Sequence, residues 1–357
     1  MSILQEELNK RNLPDLFLGK EQNLQNWESA KAKWKETLLK EEYGKELPKL
    51  TPSISVLNTA VDFAGKLSWE EVIFSFTYEE KTKEVYTQLI YPVGAETIPF
   101  FIHLNFGRSL PHKYLPIEEI IDNGFGVFVV DYNDITKDNA DFTDGLCALF
   151  QKGERRGDDT GKLMYWAYMT SQMLDYLSTR KEADKDKIGV VGHSRLGKTA
   201  LLAGALDDRF AFVCSNNSGC SGAALSRNHC NGAERIGNII ERFSHWFAPN
   251  YAKYVGSDDN LPFDQHCLLS LIAPRPVFIG SAVEDIWADT DNQFLNCVAV
   301  SKIWQLYGKT GLITPDRLPK IADIFTDGEV GFHLRAGRHF LSRTDWLVYM
   351  DAVKKIK

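Results

Sequence analysis

The residues of this chain with the plainest capacity for chemistry lie in IGVVGHSRLGKTALLAGALDD, residues 188–208. A short apolar β-type run ends in glycine, Ser194 stands at the corner, and an alanine- and leucine-rich helical pattern follows. A serine on a tight strand-to-helix turn has its oxygen lifted clear of the sheet, and the helix start behind it offers backbone N–H groups and a partial positive charge. That suits a nucleophile whose substrate passes through a tetrahedral oxyanion. The turn is crowded, and Gly192, two residues before the serine, meets its need for small neighbours. Leu196, two residues after, departs from G-x-S-x-G; the glycine stands instead at Gly197. Serine is also a common N-cap, so the hydroxyl has two competing uses.

A serine hydroxyl is a weak nucleophile until a histidine accepts its proton, and the histidine needs a carboxylate to hold its tautomer. On a strand–serine–helix elbow the chain order is serine, then acid, then histidine. After the apolar run PVFIGSA (276–282) comes VEDIWADTD, which places Glu284 and Asp285 where the acid belongs; both are candidates. The late segment EVGFHLRAGRHFLSRTDW offers His333, inside a β-like run, and His339, after the turn RAGR. A loop histidine can lean over a serine, so His339 is the expected base. His193, next to the serine, is expected to point away from the site, and the remaining histidines precede the acid. No pair of them has metal-ligand spacing such as HExxH, so neither a metal nor any other cofactor is expected.

Such residues need a rigid carrier. The runs PFFIHLN (99–105), FGVFVVDY (125–132), KIGVVG (187–192), FAFVCS (210–215) and PVFIGSA are nearly continuously apolar, as strands buried on both faces of a parallel sheet are. Between several of them lie helical patterns. One, at 162–178, carries Trp166, Met169, Met173, Leu174 and Leu177 at three- and four-residue spacing, a core stripe. Residues 72–77 and 85–92 flank the charged turn YEEKTKE and predict an antiparallel hairpin. Residues 24–43, with Trp27, Trp34, Leu38 and Leu39 near one face, predict an N-terminal covering helix. About sixty residues separate FAFVCS from PVFIGSA, and connections that long are usually lids or binding surfaces. The expectation is an α/β fold: one domain over 1–357 with a doubly wound, mostly parallel sheet, helices on both faces, and a lid insertion at about 218–262 over the C-terminal edge, where such sheets bind ligands.

Bulk composition narrows the partners. The chain has 357 residues, 44% of them hydrophobic, and a formal net charge of −7 with no long basic run, which leaves no electrostatic footprint for nucleic acid. Its six cysteines lack CxxC or zinc-like spacing and read mostly as buried thiols. No stretch of 18 uncharged apolar residues predicts a membrane span, and the N-terminus lacks the pattern of a signal peptide. The protein is therefore expected to be cytoplasmic, or exported with its leader outside this sequence.

GHSRLGKTALLAGA, LPFDQHCLLSLIAPRPVFIGSAVEDIWAD and GFHLRAGRHFLSRTDW together resemble bacterial members of the glucuronoyl esterase family, carbohydrate esterase family fifteen, within the α/β-hydrolase superfamily. The resemblance runs from about residue 27 to residue 346. G-x-S-R-x-G-K is its most specific element and accounts for the displaced glycine. It implies cleavage of the ester between (4-O-methyl)glucuronic acid of glucuronoxylan and an alcohol, with export from the cell and a monomer expected. Carried over by position, Ser194 is the nucleophile, His339 the base and Asp285 the acid, with Glu284 as the alternative acid. The resemblance further implies that Arg195 serves the oxyanion, that Lys198 and Glu234 bind sugar hydroxyls, and that Trp287 walls the sugar site.

One departure stands out. Where many family members have a glutamate in an S-G-E-G-G stretch, this chain reads NSGCSGAAL, with Cys220 in that place. A thiol cannot orient a histidine as a carboxylate does, so the acid must come from Asp285 or Glu284. Two rival readings remain at this level: a carbohydrate acetyl esterase of the same fold, and a degenerate hydrolase that binds acidic oligosaccharide without turnover.

Overall fold

The computed structural model describes residues 2–356. Among them, ten strands build one sheet: β1 (Ser53–Asp62), β2 (Leu67–Tyr78), β3 (Lys81–Pro92), β4 (Ile98–Asn105), β5 (Gly126–Asp131), β6 (Ala183–His193), β7 (Phe212–Asn216), β8 (Val277–Ala282), β9 (Ile324–Phe325) and β10 (Val330–Arg335). Their spatial order is β1-β2-β3-β5-β4-β6-β7-β8-β10-β9. Strands β4 to β8 and β10 run parallel, while β1 to β3 at one edge and β9 at the other are antiparallel to their neighbours. The chain enters the parallel part at β4, passes to β5 on one side, and then reverses to β6 on the other. The loops after β4 and β6 therefore diverge, and a crevice opens at their C-terminal ends.

Alternation along each strand feeds two apolar layers. Phe100, Ile102, Val190, Val213 and Ile279 pack with the helices Lys162–Leu177, Arg195–Leu206 and Thr290–Leu306. Phe101, Val127, Val191, Phe212 and Phe278 face the opposite way, against Ile117–Asp122 and Arg343–Lys354. The core stripe expected at 162–178 is buried as predicted, and the hairpin at β2–β3 forms through a two-residue turn at Glu79 and Glu80.

The covering helix runs Leu24–Leu38 and ends in a wider π-turn, Leu39–Tyr43. Trp27 and Trp34 are buried, and their ring N–H groups donate to Tyr307 and to the Leu16 carbonyl, as buried indoles require. β1 had no counterpart in the sequence reading. Every one of its residues is exposed and it pairs only with β2, so no burial pattern marks it. All six cysteines are free thiols, five of them buried and Cys230 half-buried. No helix among the described residues is long and apolar enough to cross a membrane.

Candidate active site

The C-terminal end of β6 delivers the serine. Ser194 adopts φ 59° and ψ −129°, and its backbone N–H donates to the Asn216 carbonyl at the end of β7, 2.8 Å away. The following helix turns back so tightly that a Cβ on Gly192 would lie 2.0 Å from the Leu196 carbonyl oxygen. Only glycine fits there. The displaced glycine also has its reason: a Cβ on Gly197 would meet Ser215 Oγ and Ser218 Cβ at 3.0 Å. Leu196 points instead into the core and is fully buried.

Ser194 occupies the N-cap position, yet its hydroxyl makes no capping hydrogen bond. A serine cap contributes about 1 kcal/mol, and a positive φ on a residue with a side chain costs about 1–3 kcal/mol. The residue is thus unfavourable on both counts, and its oxygen is left free at the mouth of the crevice.

The candidate base and one of the two candidate acids lie together. His339 Nδ1 and Asp285 Oδ2 are 2.6 Å apart; the carboxylate is buried, the imidazole half-exposed. Their loops are stitched together, since the N–H groups of Val283 and Glu284 donate to the carbonyls of Arg335 and Gly337. Glu284, the alternative acid, is 54% exposed, faces the solvent-exposed Arg338 at 3.5 Å, and does not line the cavity that His339 lines. His333 is buried and bonded to Asp345 at 2.7 Å, a partner unrelated to the serine. Behind His339 lies His193, its ring 4.5 Å from the base, centroid to centroid. It is absent from the cavity wall, but it does not simply point away: its ring packs against that of His339. Burial, and then the neighbouring His339, pushes His193 down to about 3, so its ring stays neutral.

A cavity of about 380 Å³ gathers Ser194, His339 and Asp285 with Arg195, Lys198, Glu234 and Trp287, so seven of the eight sequence candidates share one wall. Only Glu284 lies outside it. Lys198 is buried, and its ammonium donates to the carbonyls of Ser218 and Cys220 and sits 3.3 Å from Glu234. Arg195 ion-pairs with Asp138 and lies under the ring of Trp246, 4.8 Å from its centroid. Each cation therefore has its own carboxylate. The three N–H donors of Lys198 are all taken, by Ser218, Cys220 and Glu234.

The cover expected at 218–262 divides in two. Residues 218–226 are buried under the cavity, with Cys220 among them, and burial, then Glu234, raises its thiol well above the usual range. Beyond them the chain crosses the cavity with the helix Ile236–Phe243, which brings Arg242 and Phe243 to the wall. Asp138, Arg242, Phe243 and Trp246 escaped the sequence reading. Asp138 stands in the loop after β5, far from the serine in sequence; only the aromatic density of RFSHWF hinted at a wall.

The parallel sheet, the reversal at β4 and the strained serine elbow define an α/β-hydrolase. A family model for glucuronyl esterases of fungi matches residues 75–308. A carbohydrate esterase from an unknown prokaryotic organism is 39% identical over 66% of this chain and 54% of its own length. A 4-O-methyl-glucuronoyl methylesterase of Podospora anserina is 30% identical over 61% of this chain and 45% of its own. A solved glucuronoyl esterase from Solibacter usitatus superposes with a TM-score of 0.88 at 30% identity, covering 96% of this chain and 97% of that one. The chain belongs to the glucuronoyl esterase family, and it spans about half the length of the curated relatives it matches.

Replacing Ser194 with glycine removes the positive-φ strain at a smaller cost in chain entropy, so Ser194→Gly should raise the urea-unfolding free energy by about 1 kcal/mol. An equal or lower value would mean that the serine is not strained. His229, in the cover, lies 3.3 Å from Asp258 and 3.5 Å from Asp289. Burial pushes its imidazole down, but the two carboxylates overcome this and raise it to about 9. Its unfolded value is about 6.5, so its stabilisation is complete below that pH and is lost as pH rises through 9. The stability difference between wild type and His229→Gln should accordingly shrink from pH 6 to pH 9.5 in denaturant titrations; a pH-independent difference would contradict the charged clamp.

Proposed function

We propose that this chain is a serine esterase that cleaves esters of the glucuronic acid carboxyl group, such as those joining (4-O-methyl)glucuronic acid of glucuronoxylan to an alcohol. The observation that carries the reading is the 2.6 Å contact between His339 and Asp285 on a cavity wall shared with Ser194 and the Lys198–Glu234 pair. His339 accepts the proton of Ser194 as its oxygen attacks the ester carbonyl. Asp285 fixes the imidazole tautomer and stabilises the imidazolium. The oxyanion forms beside the Arg195 guanidinium and the N–H of the residue after the nucleophile, donors worth most in the transition state. Protonated His339 then gives its proton to the departing alcohol, leaving a glucuronoyl ester on Ser194. Water, deprotonated by the same histidine, releases the uronate. Glu234 and Trp287 hold the sugar, the carboxylate by accepting from hydroxyls and the indole by its exposed face, while Lys198, whose three N–H donors go to Ser218, Cys220 and Glu234, holds Glu234 in place. The relatives' names support the substrate class.

The acetyl-esterase alternative draws on one observation: Arg195 and Lys198 are both neutralised by carboxylates, so the cavity does not demand a charged or highly polar acyl group. Hydrolysis of benzyl or methyl glucuronate beside an acetylated sugar separates the two. Glucuronate turnover should vanish in Ser194→Ala, fall roughly several hundredfold or more in Asp285→Asn, and stay within about twofold of wild type in Glu284→Gln. Turnover of the acetyl ester alone would move the function to deacetylation, and an intact Asp285→Asn with a crippled Glu284→Gln would transfer the acid.

A further inference from the structure

Asp138 lies outside every motif of the sequence, yet four donors converge on its carboxylate. One oxygen accepts His245 Nε2 at 2.8 Å and Trp246 Nε1 at 2.6 Å, both from the cover. The other accepts the Arg195 guanidinium, from the serine elbow, and the Tyr132 hydroxyl at 3.2 Å. The carboxylate itself belongs to a third element, the loop after β5, and is nearly buried. Burial pushes it up, but His245, Trp246 and Arg195 outweigh this and hold it down at about 2, so it is an anion at any working pH.

Arg195 is a long side chain that carries about 2 kcal/mol of rotamer entropy and five donors fanned in one plane. Its aromatic neighbours do not fix that plane's rotation. Trp246 and Phe243, stacked 4.1 Å apart, lie 4.8 and 5.2 Å from the guanidinium, and cation–π attraction tolerates many orientations. A charged hydrogen bond to a buried carboxylate does not. Among the groups around Arg195, Asp138 is the one that supplies it; the arginine's buried Nε has no partner.

We propose that Asp138 is a positioning residue: it aims the Arg195 guanidinium at the oxyanion formed on Ser194, and through the same carboxylate ties that aim to the cover over the cavity. The inference rests on the proposed role of Arg195, but not on which acyl group is the substrate. Substitution of Asp138 therefore acts through Arg195, on the reaction of Ser194 rather than on substrate affinity.

A double-mutant cycle tests this on the full chain, read by the rate at which a fluorophosphonate labels Ser194 and by glucuronate-ester kinetics. Labelling forms a Ser194–phosphorus bond with loss of fluoride and develops charge on the phosphoryl oxygen, so it reports the oxyanion site whatever the natural ester is. Asp138→Asn should slow labelling at least about tenfold, part of the roughly hundred- to thousandfold that one oxyanion donor contributes, and lower kcat with KM nearly unchanged. In an Arg195→Ala background the same substitution should slow labelling less than about twofold. His245→Ala, which removes a bond from the cover but leaves Asp138 on Arg195, should stay within about threefold of wild type, with thermal midpoints confirming that each variant is folded. Equal slowing in both backgrounds, no slowing by Asp138→Asn, or a His245→Ala effect as large as that of Asp138→Asn would overturn the proposal. Coupled labelling without glucuronate turnover would uphold it while removing the proposed substrate, and a wild type that the probe does not label would remove both.

Discussion

The site hangs on one unfavourable backbone conformation, the positive φ of Ser194. A strained residue persists only where its surroundings over-determine it. Here three features do so: the hydrogen bond from Ser194 N–H to the Asn216 carbonyl, the packing of the first helical turn onto Gly192, and the close seat of Gly197 against β7 and Ser218. Each depends on β6 and β7 lying parallel and adjacent, and so on the apolar runs that bury both faces of the sheet. Loosening any of them would let the serine relax to an ordinary cap. The core therefore serves the site directly, by keeping one oxygen off the helix.

Around that oxygen, carboxylates do most of the arranging. Asp285 holds His339, Glu234 faces Lys198, and Asp138 grips Arg195. Burying an ammonium without a partner costs several kcal/mol, so Lys198 can lie this deep only with Glu234 and two carbonyl oxygens around it. A second layer steadies His339. Arg335 donates to the carbonyls of Ala336, Arg338 and Phe340, which bracket His339, and is itself fixed by buried Asp345 at 2.7 Å. Asp345 also caps the last helix together with Ser342. The loop that carries His339 is thus anchored to both a strand and a helix, though the loop itself has no regular structure.

Legibility in the sequence followed the range of the interactions. The parallel strands, the hairpin and the core helix were readable because each writes its burial into a local period. That Ser194, Asp285 and His339 share one cavity was readable because each follows an apolar strand in the order the elbow requires. Asp138 and the Arg335–Asp345 pair were not, because their roles arise from contacts between elements distant along the chain, and an aspartate in YNDITKDN looks like any loop aspartate. β1 was invisible for the opposite reason: it buries nothing and so carries no pattern. Cys220 was readable as a departure, but only its burial shows that the thiol sits beneath the cavity instead of replacing an acid within it.

In the proposed reaction the free hydroxyl of Ser194 takes up the acyl group of the ester. The most direct test is mass spectrometry of enzyme acid-quenched during turnover of a glucuronate ester, followed by peptide mapping. The structure predicts a glucuronoyl adduct on the peptide containing Ser194, absent from Ser194→Ala. An adduct on Cys220 or any other side chain, or sustained turnover by Ser194→Ala, would contradict it.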